Sequence, residues 1–185
     1  MVFQMGKTLV IAEKPSVGRD LSSALEGVFQ RRKLEDVVPK RTRKKTAEEA
    51  VDEATTKPSR SRTREDVHFL ESDDYVITWA VGHLVQLAEP EEYDEKWKKW
   101  KMADLPIVPP DGFKLVPRDA KSKKQLKLIE TLLKREDIDK IINACDAGRE
   151  GELIFAYVYE SVFGKSATSA NAPKPVERLW ISSMT

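Results

Sequence analysis

Ile141-Ile142-Asn143-Ala144-Cys145-Asp146-Ala147-Gly148-Arg149-Glu150-Gly151-Glu152-Leu153-Ile154-Phe155-Ala156-Tyr157-Val158 is the stretch on which the fold turns. An aliphatic run, a tight turn carrying glycine and carboxylates, and a second apolar run read as buried strand, turn and helix. In an open α/β sheet that order puts acidic side chains at the carboxyl end of a strand, where such sheets hold their ligands. Asp146 falls at the strand end. Glu150 and Glu152 fall in the first helical turn, where the positive end of the helix dipole favours negative charge. Carboxylate oxygens are hard ligands suited to Mg²⁺, which takes one or two protein carboxylates and leaves room for water and phosphate. The same residues are also ordinary choices for capping a helix, so this turn alone leaves a ligand site and plain stabilisation evenly matched.

A second acidic strand end shifts that balance. Lys7-Thr8-Leu9-Val10-Ile11-Ala12 is a short aliphatic run, followed by Glu13-Lys14-Pro15-Ser16 and a helical stretch from Val17 to Leu25 that stops at Gly27. Pro15 ends the strand and Ser16 is expected to cap the helix, which leaves Glu13 in the turn. If both strands lie parallel in one sheet, Glu13 and Asp146 project from the same edge and converge. Carboxylates brought together repel one another, so burying them without a cation would force protonation, and their convergence is itself an argument for a metal.

Leu9 to Ser16, Gly82-His83 and Asn143 to Leu153 together resemble the amino-terminal Toprim domain of type IA DNA topoisomerases, particularly the topoisomerase III branch. The likeness spans the chain except about residues 30–66, and ends with Arg178-Leu179-Trp180-Ile181-Ser182-Ser183, which is similar to that domain's last strand. It implies a Rossmann-like α/β domain over residues 1–185, the amino-terminal part of a longer enzyme, with a mostly parallel central sheet flanked by helices. It also implies single-strand DNA cleavage by a tyrosine, strand passage and religation, with Mg²⁺ beside the scissile phosphate. Carried over position by position, Glu13 acts in proton transfer to the leaving 3′ oxygen, and Lys14 neutralises the phosphate. Asp146 and Glu150, with Glu13 adjoining, hold Mg²⁺, and Lys14, His83 and Arg149 contact DNA. The implied partners are single-stranded DNA and the remaining topoisomerase domains in cis. A primase or nuclease Toprim enzyme is a competing reading, disfavoured by Glu13-Lys14-Pro15-Ser16; a free-standing module binding Mg²⁺ or partner proteins is the non-enzymatic one.

Two departures from the family pattern matter. Where the acidic turn often reads Asp-X-Asp, Gly148 occupies the second acidic position, so a two-ion site lacks a ligand. Glu152, Glu13 or water could then complete a single shell, and Gly148 could instead let the backbone approach phosphate closely. In addition, Tyr75, Tyr93, Tyr157 and Tyr159 stand in no motif matching the nucleophile, so this chain alone is expected not to cleave DNA.

Composition is consistent with this scope. With 185 residues, 40% of them hydrophobic, the chain supports one domain with an ordinary core. It has no apolar run of about 18 residues and no cleavable leader, so the expectation is a cytoplasmic protein without membrane contact. Cys145 is the single cysteine and is expected in the core.

The net charge of +1 conceals a basic stretch, Arg31 to Asp66, with twelve Lys or Arg against eight Asp or Glu and no aromatic residue. Such a stretch buries too little apolar surface to order itself, and reads as a disordered insertion with a short helix near Ala47 to Ala54. Its clusters Arg41 to Lys45 and Arg60 to Arg64 suit nucleic-acid backbone or simple solubility. Val67 to Leu70 and Tyr75 to Trp79 read as a hairpin turning at Glu71 to Asp74, followed by a loop at Ala80 to Leu84. Glu91 to Pro110 reads as irregular, with Trp97 and Trp100 either stacking bases or packing. Asp119 to Arg135 is an amphipathic helix with Leu126, Ile129, Leu132 and Leu133 inward, and Gly164 to Pro175 is a linker before a last strand, Val176 to Ile181.

Overall fold

Strand β1 (Lys7–Ala12) forms where its aliphatic run places it. A computed structural model describes residues 6–37, 68–99, 101–164 and 166–180. In it β4 (Tyr75–Trp79) and β7 (Ile138–Ala144) flank β1, both parallel to it, with Ala12 level with Trp79 on one side and Ala144 on the other. β8 (Val176–Arg178) extends the sheet in parallel beyond β7. Beyond β4 lies β3 (His68–Glu71), antiparallel to it, and beyond that β2 (Gln30–Lys33), antiparallel to β3, giving the order β2-β3-β4-β1-β7-β8.

Both faces of the central strands are covered, which is why they read as near-continuous apolar runs. Helix α1 (Pro15–Ala24) packs Val17 and Leu21 over the face bearing Val10, Ala12 and Ile77. On the other face Leu9, Ile11 and Ile141 meet α3 (Ala120–Leu133) and α4 (Arg149–Phe163) through Leu128, Leu132, Phe155 and Val158. Asp119 caps α3 by accepting a hydrogen bond from the Ser122 backbone at 2.7 Å. The expected α/β architecture, with a mostly parallel sheet between helices, is the observed one.

Several details differ. α1 opens at Pro15, two residues before Val17, and Lys14 rather than Ser16 holds the cap position. Proline suits the first helical position because its missing N–H is unpaired there anyway and its φ is already helical. The expected disordered insertion has an ordered start: β2 pairs with β3, and the single-turn helix α2 (Leu34–Val37) follows. An edge strand needs only one partner, so charged, half-solvated side chains suffice for β2. The rest of the insertion, with both basic clusters and the expected Ala47–Ala54 helix, lies outside the described residues, as do Trp100 and Ile181. In α3, Leu128 is buried and Leu126 only half-buried, so the apolar face is rotated from the one expected. A two-stranded antiparallel ribbon, β5 (Val85–Leu87) with β6 (Leu115–Pro117), was not foreseen. Among the described residues no helix is long and apolar enough to cross a membrane.

Glu71, expected in a turn, ends β3 at the amino edge of the parallel strands with its side chain 4% exposed. It accepts hydrogen bonds from Lys7 Nζ at 2.9 Å, Arg32 Nη1 at 2.7 Å and Arg135 Nη2 at 2.6 Å. Burial by itself raises this carboxyl's pKa; the bonds from Arg135, Lys7 and Arg32 outweigh it and bring the group from 4.5 down to about 2.

Candidate functional site

Three neighbouring strands deliver their ends to the opposite, carboxyl edge. After β1 the backbone bends at Glu13 and Lys14, and Pro15 starts α1. The segment after β4 is tied to this bend: Ala80 N–H donates to Ala12 O and Val81 N–H to Glu13 O, each at 2.9 Å. Val81 and Gly82 then take φ values of 58° and 79°. For the β-branched Val81 that conformation costs on the order of 1–3 kcal/mol, and the turn it makes carries His83 towards α4. His83 Nε2 lies 3.3 Å from Glu150 Oε1.

The Glu13 and Asp146 loops meet. Asp146 N–H donates to Glu13 Oε2 over 3.4 Å, and Lys14 Nζ lies 2.7 Å from Asp146 Oδ2 and 3.6 Å from Glu13 Oε1. Where convergence was expected to call for a metal, the charge between the two carboxylates is the chain's own Lys14 ammonium. Its pKa is raised above the usual lysine value, first by the hydrogen bond to Asp146 and then by the charges of Glu13 and Asp146. Glu13, Lys14 and Asp146 through Gly151 line an open cleft of about 590 Å³.

Of the residues expected to act, Glu13, Lys14, Asp146, Arg149 and Glu150 line this cleft, and His83 reaches it by pairing with Glu150. Glu13 is buried behind Lys14, whereas the side chains of Asp146 and Glu150 are open to solvent. Glu152 is turned away: its Oε2 accepts from Asn143 Nδ2 at 3.3 Å, and its Oε1 lies 3.0 Å from Arg178 Nε. Among the described residues no three His, Cys, Asp or Glu side chains are grouped around one point that could hold a metal ion. Mg²⁺ does not require three: the hard oxygens of Asp146 and Glu150, with water, make a donor set that fits it.

Other side chains at this edge are structural. The Cys145 thiol is pushed up to about 12, chiefly by burial and then by the charge of Glu13, so it is a core residue and no nucleophile. None of the four tyrosines lines the cleft: Tyr159 is buried between Phe155 and Phe163, and Tyr93 Oη accepts from Lys114 N–H at 2.7 Å.

Two glycines of the acidic turn have opposite meanings. A Cβ on Gly151 would lie 2.2 Å from the Asp146 carbonyl oxygen, so α4 can approach the turn only with glycine there. A Cβ on Gly148 would meet nothing within 4 Å, and its φ of −169° is extended backbone open to any residue. Gly148 is thus no steric necessity. Because it also caps α4, Gly148→Asp should fold normally and add a third carboxylate to the cleft. Calorimetric titration should show Mg²⁺ binding tightened by roughly tenfold, the size expected for one added charge near the surface; an unchanged isotherm would mean that the cleft does not take the cation.

Asn143, Gly151 and Arg178 were missed as site residues. The signal for Arg178 is its register opposite Asn143, one strand from the acidic turn, and it becomes readable only once β8 is paired with β7.

Comparison with known proteins agrees with the fold. Residues 8–184 match the Toprim domain. The chain is 39% identical over 181 residues to DNA topoisomerase 3 of Bacillus subtilis and 38% identical over 181 residues to that of Bacillus licheniformis, covering 98% of this chain in each case. It spans 19% of the length of these relatives. A match over nearly every residue, on a mostly parallel sheet whose acidic turns meet at one edge, makes the conclusion plain: the chain belongs to the Toprim domain family.

Proposed function

We propose that this chain is the Mg²⁺-binding Toprim module of a type IA DNA topoisomerase of the topoisomerase III kind, which cleaves, passes and religates single DNA strands. The observation that carries this reading is the Lys14 ammonium held between Glu13 and Asp146 in an open cleft. A lysine so placed already balances two anions, and an arriving phosphodiester would compete for it.

In this reading Asp146 and Glu150 would hold the cation, which would supply positive charge to offset that of a phosphate bound in the cleft. Lys14 exchanges Asp146 for a phosphoryl oxygen and neutralises charge developing there. Glu13, released from Lys14, takes up a proton as the phosphodiester's negative charge arrives beside it; the neutral carboxyl then gives that proton to the leaving 3′ oxygen and is left as carboxylate. Arg149 at the mouth of the cleft and His83 beside Glu150 contact the DNA backbone. The attacking tyrosine comes from another part of the enzyme, and this chain alone leaves DNA intact.

The test is a calorimetric Mg²⁺ titration of the chain beside Asp146→Asn combined with Glu150→Gln. Replacing two anionic ligands by amides should weaken binding by at least about tenfold. Identical isotherms from two folded proteins would remove the metal from the proposal.

A further inference from the structure

β8 delivers a guanidinium that the proposed chemistry leaves unused. Arg178 Nη2 donates to the Asp146 carbonyl oxygen at 2.8 Å, its Nε lies 3.0 Å from Glu152 Oε1, and the Trp180 ring covers it at 5.4 Å. The side chain is only 15% exposed; its Nε and Nη1 are buried without a hydrogen bond, so Glu152 is held by charge at 3.0 Å and the one hydrogen bond to the turn is that of Nη2. One carbonyl is the hub of the acidic turn. The oxygen that Arg178 grips also accepts from Gly148 N–H at 2.9 Å, and it is the atom against which Gly151 packs.

We propose that Arg178 is a positioning residue of the cleft: by holding the Asp146 carbonyl and drawing Glu152 aside, it aims the Asp146 and Glu150 carboxylates at a divalent cation. The inference rests on the Mg²⁺ reading given above. It makes a prediction whose sign separates it from simple electrostatics. A guanidinium beside the site repels a dication, so losing its charge alone would tighten Mg²⁺ binding. Losing its grip on the turn would weaken it. Lysine keeps the charge but lacks the planar fork that spans the Asp146 carbonyl and Glu152 together.

The experiment titrates the chain, Arg178→Gln, Arg178→Lys and Asp146→Asn with MgCl₂ by calorimetry, with metal-free thermal melts and amide hydrogen exchange at residues 146–150. Both Arg178 variants should bind Mg²⁺ about tenfold more weakly, the effect typical of a group that orients a metal ligand. Exchange at 146–150 should quicken while the rest of the sheet keeps its protection. Parental or tighter affinity in Arg178→Gln overturns the inference, as does parental affinity in Arg178→Lys. If Arg178→Gln does not fold, folded Arg178→Lys decides by the same criterion. Weakened binding in Asp146→Asn together with parental binding in both Arg178 variants discards this inference and leaves the metal reading standing. An Asp146→Asn variant that titrates like the parent discards both.

Discussion

Glu71→Gln should lower the thermal midpoint of the protein by about 6–12 °C at neutral pH. The amide keeps the carboxylate's shape and loses its charge, leaving Lys7, Arg32 and Arg135 around a neutral group that is 4% exposed. Removing one partner of a buried ion pair costs about 3–5 kcal/mol, and we take the lower figure because Lys7 and Arg32 keep some contact with water. The pH dependence follows from the direction of the shift. The folded carboxyl sits at about 2, below its ordinary 4.5, so its contribution is complete above about 4.5 and disappears as pH falls towards 2. The gap between parent and variant should therefore be widest at neutral pH and close across that acidic window. Melts at pH 7, 4 and 3 measure it, and a gap that stays constant would remove Glu71 as the source.

Gly151→Ala should destabilise the protein by about 2 kcal/mol and weaken Mg²⁺ binding with it. Alanine in place of glycine inside a helix ordinarily gains about 1 kcal/mol, so the expected sign is reversed. The reversal comes from backbone. The added methyl would lie 2.2 Å from the Asp146 carbonyl oxygen and 2.9 Å from the Asp146 nitrogen, and neither is a flexible side-chain end that could step aside. Either α4 backs away from the sheet and carries Glu150 with it, or the acidic turn moves and takes Asp146 from its place beside Lys14; both separate the two carboxylates. A denaturant melt and a Mg²⁺ titration of the same sample test the two effects together. An alanine variant as stable as its parent would show that the close approach is not required.

The central strands and their helices were legible because burial imposes a pattern: β1, β7, α3 and α4 each carry an apolar run of the right period. Edge elements escaped because water, not the core, faces them. Gln30-Arg31-Arg32-Lys33 has no apolar residue to announce β2, and Val85-Gln86-Leu87 is too short for alternation to register. At the cleft, the meeting of the Glu13 and Asp146 loops followed from the parallel-sheet rule. Lys14 as their shared counter-ion did not, since spacing says nothing about which cation fills the gap. Arg178 was hidden for a related reason: its main acceptor at the turn is a backbone carbonyl, a group every residue carries. Glu71 was hidden because its three partners come from residues 7, 32 and 135, which no local window contains.

The middle place of β1 in the sheet has a consequence for synthesis. Thr8 pairs with Tyr75 on one side and Lys140 on the other, so β1, made before both neighbours, is flanked on its second side only once β7 has been made. Until the chain has been translated past Ala144, Leu9, Val10 and Ile11 keep one open ladder, the kind of edge that recruits strands from other molecules. Nascent protein stalled short of that point would be a natural client for chaperones that shield unpaired strands.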